Sequence, residues 1–125
     1  MNSKVLLVLR IVFGLFLVLF GSNKFFNFLP AFEGLSETAM TYFGSLTAAK
    51  VLPMVGIVET VAGLSLLVNK YASLMMIILM SVSVNAVLFH ATLDPGNIVP
   101  ALVLLALNIA MLYAYKDRYK DILRG

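Results

Sequence analysis

The chain has 125 residues, of which 62% are hydrophobic and 12% are charged, whereas soluble domains contain about 45–50% apolar and about 25% charged residues. This composition excludes an ordinary soluble domain and indicates a membrane protein. In a membrane protein, the positions of Lys and Arg indicate how the chain is oriented in the bilayer, so the net charge of +3 is not evidence of nucleic-acid binding. The absence of cysteine excludes thiol redox chemistry, and a single histidine argues against a multi-histidine metal or haem site.

Four apolar stretches are long enough to cross a bilayer, given a rise of about 1.5 Å per helical residue and a hydrocarbon core of about 30 Å. They cover residues 5–22, 51–68, 71–93 and 98–115. A cleaved signal peptide is an alternative for the first, but no small-residue cleavage site follows it and Arg10 interrupts it. The sequence therefore predicts an all-α integral membrane protein with one domain over residues 1–125.

The only long connection lies between the first two spans. Within it, Ser36 and Glu37 resemble a helix start, and Met40, Phe43 and Leu46 recur at helical spacing. We therefore expect a short amphipathic helix at the membrane surface. Nearby phenylalanines are expected to anchor this connection to the interface: Phe25, Phe26, Phe28 and Phe32.

The distribution of basic residues predicts the orientation. Four spans place both termini on one side, and the two short connections favour an antiparallel four-helix bundle. The terminal side carries six basic residues, namely Lys4, Lys70, Lys116, Arg118, Lys120 and Arg124. The opposite side carries Lys24 and Lys50. By the positive-inside rule, both termini are expected to be cytoplasmic and the long first loop to lie outside.

Charged side chains within the spans are the most informative residues, because an isolated ion in a membrane helix costs about 2.5–3.5 kcal/mol. Arg10 and Lys24 share one helical stripe with Gly14 and Gly21, and Glu59 lies on a similar stripe near mid-membrane. Helical rise places Arg10 close in depth to Glu59. We predict that these two side chains pair, either to hold helix register or to form part of a functional site.

Three further polar residues complete the candidate network. Asn108 is close to the depth of Glu59, and Asn85 lies nearer the outer side, so each amide either joins two helices or lines a ligand site. His90 lies one helical turn before Asp94, which suits either proton transfer at the membrane boundary or simple packing. The predicted ligand-binding residues are Arg10, Lys24, Glu59, Asn85, His90 and Asn108, and no metal site is predicted.

The order and spacing of these residues resemble the DoxX family of small four-helix membrane proteins. The resemblance rests on Arg10-x3-Gly14-x6-Gly21-x2-Lys24, on Gly56-x2-Glu59-x3-Gly63, on His90 with Asp94-Pro95, and on Asn108 before Tyr-Lys-Asp-Arg-Tyr. It implies a four-helix bundle in a bacterial cytoplasmic membrane. Relatives include the small membrane subunit of a thiosulfate:quinone oxidoreductase, and others are associated with thiol-redox and oxidative-stress complexes.

Two functions follow from the residues and the resemblance. The first is a membrane module of a redox-linked complex that binds a quinone or another lipophilic molecule. Because the chain has no cysteine, a bound quinone or a partner protein would have to carry out any redox reaction. The second is a non-catalytic structural or assembly subunit that docks a partner membrane protein or a second copy of itself. A small transporter is a weaker alternative. The sequence carries no metal or nucleotide motif, so we do not expect an autonomous enzyme.

Overall fold

The computed structural model describes residues 2–27 and 34–124. Within those ranges the secondary structure is helical and contains no strand, which confirms the all-α prediction. The helices are α1 (Ser3–Phe26), α2 (Glu37–Ala48), α3 (Val51–Val68), α4 (Ala72–Leu93), α5 (Val99–Ala114) and α6 (Lys120–Leu123). Short 3-10 turns at Pro95–Asn97 and Lys116–Tyr119 precede and follow α5.

Helices α1, α3 and α4 are each long and apolar enough to cross a membrane. Helix α5 has 16 residues and qualifies only together with the segment Lys116–Leu123, from which it is bent by 73°. The described chain therefore has three candidate spans, or four if the bent pair forms one span. With several helices long and apolar enough to cross a bilayer, the protein is a multi-pass membrane protein.

The helix boundaries follow local sequence signals. Helix α3 coincides with the predicted span, and α4 and α5 lie within one residue of the predicted ends. Helix α1 continues beyond the predicted end at residue 22 as far as Phe26, and Asn27 ends it in the left-handed conformation (φ 52°) with its N–H bonded to the Asn23 carbonyl. Asparagine tolerates this conformation better than most residues. Lys24 consequently belongs to the helix rather than to the following loop.

Helix α2 begins where the sequence predicts a helix start. The Ser36 side chain accepts a hydrogen bond from the Ala39 N–H at 3.1 Å and donates one to the Leu93 carbonyl of α4 at 3.2 Å, so the cap both starts α2 and holds it against α4. Its location at a membrane surface stays a prediction. Of the four phenylalanines expected to anchor this connection at the interface, Phe28 and Phe32 lie outside the described residues.

Helices α1 and α3 make the most extensive contact in the molecule. Gly14 lies against Gly63, and Gly21 lies against Gly56, so the two helices run antiparallel. A Cβ added to Gly63 would lie 2.7 Å from the Gly14 carbonyl oxygen. These glycines are required because the two backbones touch, which is how small residues let membrane helices pack.

The buried core and the open space occupy opposite halves of the molecule. The core joins the first half and the middle of α1, the second half of α3, the first half of α4 and residues along α5. Its fully buried members include Phe13, Leu17, Leu66, Met76, Leu79 and Met111. The other half, where α1 ends and α3 begins, contains a cavity instead.

Candidate functional site

The cavity has a volume of about 850 Å³ and is partly open. Helices α1 to α5 all contribute to its wall, and α2 covers it at the end where Tyr42 and Phe43 pack on Phe89. The wall is mainly aliphatic and aromatic, with Phe16 and Phe20 on the α1 side. Four of the six predicted site residues line it, namely Lys24, Glu59, Asn85 and His90.

An ion pair between α1 and α3 is the most polar feature of the wall. The Lys24 ammonium lies 2.5 Å from the Glu59 carboxylate. The Glu59 side chain is only 4% exposed and that of Lys24 23% exposed, so the pair is largely removed from solvent. Opposite charges at this distance attract each other more strongly where water is largely excluded than they do in bulk solvent.

The predicted Arg10–Glu59 pair is wrong. The Arg10 guanidinium instead donates from Nε to the Leu66 carbonyl at 3.1 Å. Leu66 lies seven residues beyond Glu59, about 10.5 Å along the helix. Arg10 therefore belongs to the opposite half of the molecule from the cavity.

The direction of the side chains explains why Lys24 rather than Arg10 meets Glu59. In a helix every Cα–Cβ bond tilts towards the N-terminus of that helix. In the antiparallel α1–α3 pair, Lys24 and Glu59 therefore lean towards each other, whereas Arg10 and Glu59 lean apart. This signal was available in the sequence once the two helices were taken as antiparallel neighbours.

Asn108 does not join the Glu59 network as predicted. It is fully buried, its Oδ1 accepts from the Ser83 hydroxyl at 2.6 Å, and its Nδ2 donates to the Met76 carbonyl at 3.0 Å. Both partners belong to α4, so Asn108 joins α4 to α5 within the packed half. The interpretation of this amide as an interhelical contact agrees with the structure.

Asn85 lines the cavity but makes no bond to another helix among the described residues. Its Nδ2 donates to the Ser81 carbonyl of its own helix at 2.7 Å. Both residues are exposed while lining the cavity. The cavity therefore has a polar and exposed margin on its α4 side.

His90 pairs with Asp94 as the sequence predicts. The ring Nδ1 lies 3.1 Å from Asp94 Oδ2, and both side chains are buried. Asp94 also accepts from the Asn97 amide at 3.0 and 3.1 Å. A proton on Nδ1 directed at this carboxylate leaves Nε2 as the basic nitrogen of the ring.

The aromatic wall of the cavity was not identified from the sequence. The Tyr42 ring stacks on Phe89 with centroids 5.1 Å apart, and Phe89 meets the His90 ring edge-on at 4.9 Å. The helical spacing of Phe43 and Leu46 predicted α2 but did not show that α2 covers a cavity.

Among the described residues no group of three or more His, Asp or Glu side chains is placed to hold a metal ion.

Comparison with known proteins identifies one stretch of the chain. The DoxX family model matches residues 5–92. This stretch includes Lys24, Glu59, Asn85 and His90 and ends before α5. No curated protein and no solved structure matches the chain.

Proposed function

This chain belongs to the DoxX family, and from that premise we propose that it binds a quinone or a similar amphipathic molecule in the cavity, as the membrane module of a redox-linked complex. The observation that carries this proposal is a cavity of about 850 Å³ with a largely buried Lys24–Glu59 ion pair in an apolar and aromatic wall. Pockets for small molecules and cofactors generally measure about 300–1,000 Å³ and combine an apolar lining with a few polar groups.

The composition of the wall suits a flat ring with carbonyl oxygens. The Lys24 ammonium supplies a hydrogen-bond donor, and Phe16, Phe20 and Phe89 supply aromatic surfaces against which a ring can pack. The cavity is partly open, so a hydrocarbon tail can extend from it towards the bilayer. A molecule with a polar ring and an apolar tail uses all three features.

The ion pair supports a binding role over a purely structural one. An apolar pair of similar volume is often as stable as a buried ion pair or more so, and the glycine contacts already hold α1 against α3. Charged residues inside membrane helices generally mark a functional site. In this proposal Glu59 orients the Lys24 ammonium, and His90 with Asp94 accepts or delivers a proton at the α4 wall of the cavity.

The proposal includes an orientation and a partner. Helix α5 with its bent C-terminal segment forms a fourth crossing of a bacterial inner membrane, and both termini lie in the cytoplasm, where basic residues concentrate. Since the chain has no cysteine, it forms no dithiol relay of its own, and electrons reach or leave a bound quinone through a partner protein.

Quinone binding by the purified protein in nanodiscs tests the proposal. Native mass spectrometry with a short-tailed ubiquinone is expected to show saturable binding, which Lys24→Met weakens about tenfold, since a charge-assisted hydrogen bond contributes about 1.5–3 kcal/mol. Glu59→Gln is expected to weaken binding less, because the ammonium remains. Lys50→Met is the matched control, as Lys50 is exposed and does not line the cavity.

Two results would contradict the proposal. Binding that rises in proportion to quinone without saturating would show partition into lipid only. Saturable binding with equal affinity in Lys24→Met and Lys50→Met would place the quinone elsewhere. Either result would favour the structural or assembly subunit, in which the ion pair serves packing alone.

A further inference from the structure

Helix α2 covers the cavity but is held in place by few contacts. Ala39 is the one buried residue of this helix. The helix meets α4 through the hydrogen bond of the Ser36 side chain and through Tyr42 and Phe43, whose rings pack on Phe89. Helices α1 and α3, by contrast, touch backbone to backbone at two places. A helix with so little buried apolar surface leaves its position at a lower free-energy cost than the helices of the packed half.

Both ends of α2 have a backbone conformation that favours glycine. Gly34, two residues before the N-cap Ser36, has φ 70°, and Lys50, at the junction with α3, has φ 64°. A lysine in this left-handed region is unfavourable, because its Cβ approaches the following carbonyl oxygen. Hinge motions are usually absorbed by a few residues at the ends of helices or in loops. A rotation of the backbone at these two junctions therefore moves α2 as a whole.

The N-terminal cap of α2 does not depend on the contact with α4. The Ser36 side chain accepts from the Ala39 N–H within α2 itself, so the helix keeps its cap when the bond to α4 breaks. We infer that α2 is a hinged lid, which turns about Gly34 and Lys50 as an intact helix and opens the cavity with its ion pair to polar molecules from the aqueous phase. This inference concerns access to the cavity and does not depend on which molecule binds there.

Because the chain has no cysteine, one introduced thiol measures the opening directly. Ala101 lines the cavity from α5 and is only 4% exposed, so Ala101→Cys places a thiol inside the cavity with little change in volume. The full chain in nanodiscs is treated with a methanethiosulfonate reagent that carries a trimethylammonium group, and mass spectrometry follows the modification. The fixed charge keeps the reagent out of the hydrocarbon core. Ser45→Cys, at an exposed position of α2, gives the reaction rate of a thiol that needs no opening.

Two substitutions at the hinges are expected to change the rate at Ala101→Cys in opposite directions. Gly34→Ala disfavours the closed position and is expected to raise the rate about tenfold, because alanine is unfavourable at φ 70°. Lys50→Gly favours the closed position and is expected to lower the rate about threefold, since part of the gain is lost to the greater freedom of glycine in the open position.

These two substitutions leave the wall of the cavity unchanged, because neither residue lines it. Apart from its chain neighbours, no atom of the described residues lies within 4 Å of a Cβ at Gly34, so Gly34→Ala acts through the backbone conformation alone. Lys50→Gly relieves an unfavourable conformation and keeps the test valid if Gly34→Ala does not fold.

Gly44→Ala is the matched control, because it makes the same chemical change in the middle of α2 and leaves both hinges as they are. A lid that opens as an intact helix gives this variant the parent rate. If the cavity opened by local unfolding of α2, the higher helix propensity of alanine would slow the reaction about fivefold.

Three results would overturn the inference. The first is a rate at Ala101→Cys that neither hinge variant changes, or that both raise, which would show that the reagent enters through the exposed margin of the cavity or through a generally loosened fold. The second is a slower reaction in Gly44→Ala, which would show local unfolding. The third is an equal change at Ser45→Cys, which would show altered thiol reactivity rather than altered access.

Discussion

The contact between α1 and α3 gives the sharpest prediction for stability. A Cβ added at Gly63 would lie 2.7 Å from the Gly14 carbonyl oxygen and 2.9 Å from the Val18 backbone nitrogen. Both are backbone atoms, which cannot rotate away as a side chain can. Gly63→Ala therefore requires α1 and α3 to move apart, and we expect it to destabilise the protein.

The structure sets the size of this effect. Restoring an ordinary contact distance of 3.4 Å or more needs a local separation of about 0.7 Å, and a gap of about 0.5–1 Å already loses a quarter to a half of each dispersion contact. Overpacking typically costs about 1–3 kcal/mol, and the upper value applies where two backbones meet. Alanine returns about 1 kcal/mol through its higher helix propensity, so the net loss is about 2 kcal/mol.

Gly44→Ala in α2 is the matched control. Apart from the backbone of α2 itself, no atom of the described residues lies within 4 Å of a Cβ at Gly44, so only the propensity gain remains and the variant is expected to be about 1 kcal/mol more stable. Gly14→Ala should fall between the two, because its closest neighbour is the side chain of Leu67 at 2.9 Å. The free energy of unfolding can be measured by SDS titration in mixed micelles, followed by circular dichroism.

The order of stabilities of the three variants tests whether the backbones of α1 and α3 touch at Gly14 and Gly63. We expect Gly44→Ala to be most stable, then Gly14→Ala, then Gly63→Ala. If Gly63→Ala unfolds at the same SDS concentration as Gly44→Ala, the two backbones do not touch as described and the register of α1 against α3 is wrong.

Three further predictions concern polar contacts. Glu59→Ala leaves the Lys24 ammonium without its partner and is expected to cost about 3 kcal/mol of unfolding free energy, most of which the added Lys24→Met change restores. Asn108→Leu breaks two contacts with α4 and is expected to cost about 1 kcal/mol, whereas Asn85→Leu, whose amide bonds only its own helix, should change stability by less than about 0.5 kcal/mol. Tyr119→Phe loses one bond to α4, about 1 kcal/mol, and should increase amide hydrogen exchange in the C-terminal segment.

The same unfolding assay serves the first two of these, and mass-spectrometric hydrogen exchange serves the third. Additive losses in the Glu59 and Lys24 double variant would show that the two side chains do not interact. Equal effects of the two asparagine changes would contradict the assignment of one amide to the core and the other to the cavity. Unchanged exchange in Tyr119→Phe would mean that this hydroxyl does not hold the segment.

Local signals explain why the helices could be predicted. The span over residues 51–68 agrees with α3 because a stretch that is apolar apart from a single charge, Glu59, ends at Asn69, which takes the left-handed conformation with φ 57°. The pair of His90 and Asp94 was also predictable, since residues four apart meet on one helix face. The start of α2 at Ser36 follows from its capping side chain.

The prediction failed where it depended on how deep each helix lies relative to its neighbours. The first span was predicted to end at residue 22, where the apolar run stops, although α1 continues to Phe26 and includes Lys24. Arg10 and Asn108 were placed near Glu59 by counting helical rise from the predicted ends. An error of one or two turns in that count is enough to exchange one partner for another.

The sequence by itself determined that this is an all-α membrane protein, where its longest helices lie and which polar residues are placed within them, because these properties depend on composition and on residues close together in the chain. Only the tertiary structure decided that Lys24 meets Glu59, that Asn108 belongs to the core and that α2 covers a cavity. The first property depends on the register of α1 against α3, which is set where the glycine backbones of the two helices touch. The other two depend on how α5 and α2 pack against α4, and no pattern of residues close together in the chain determines such contacts.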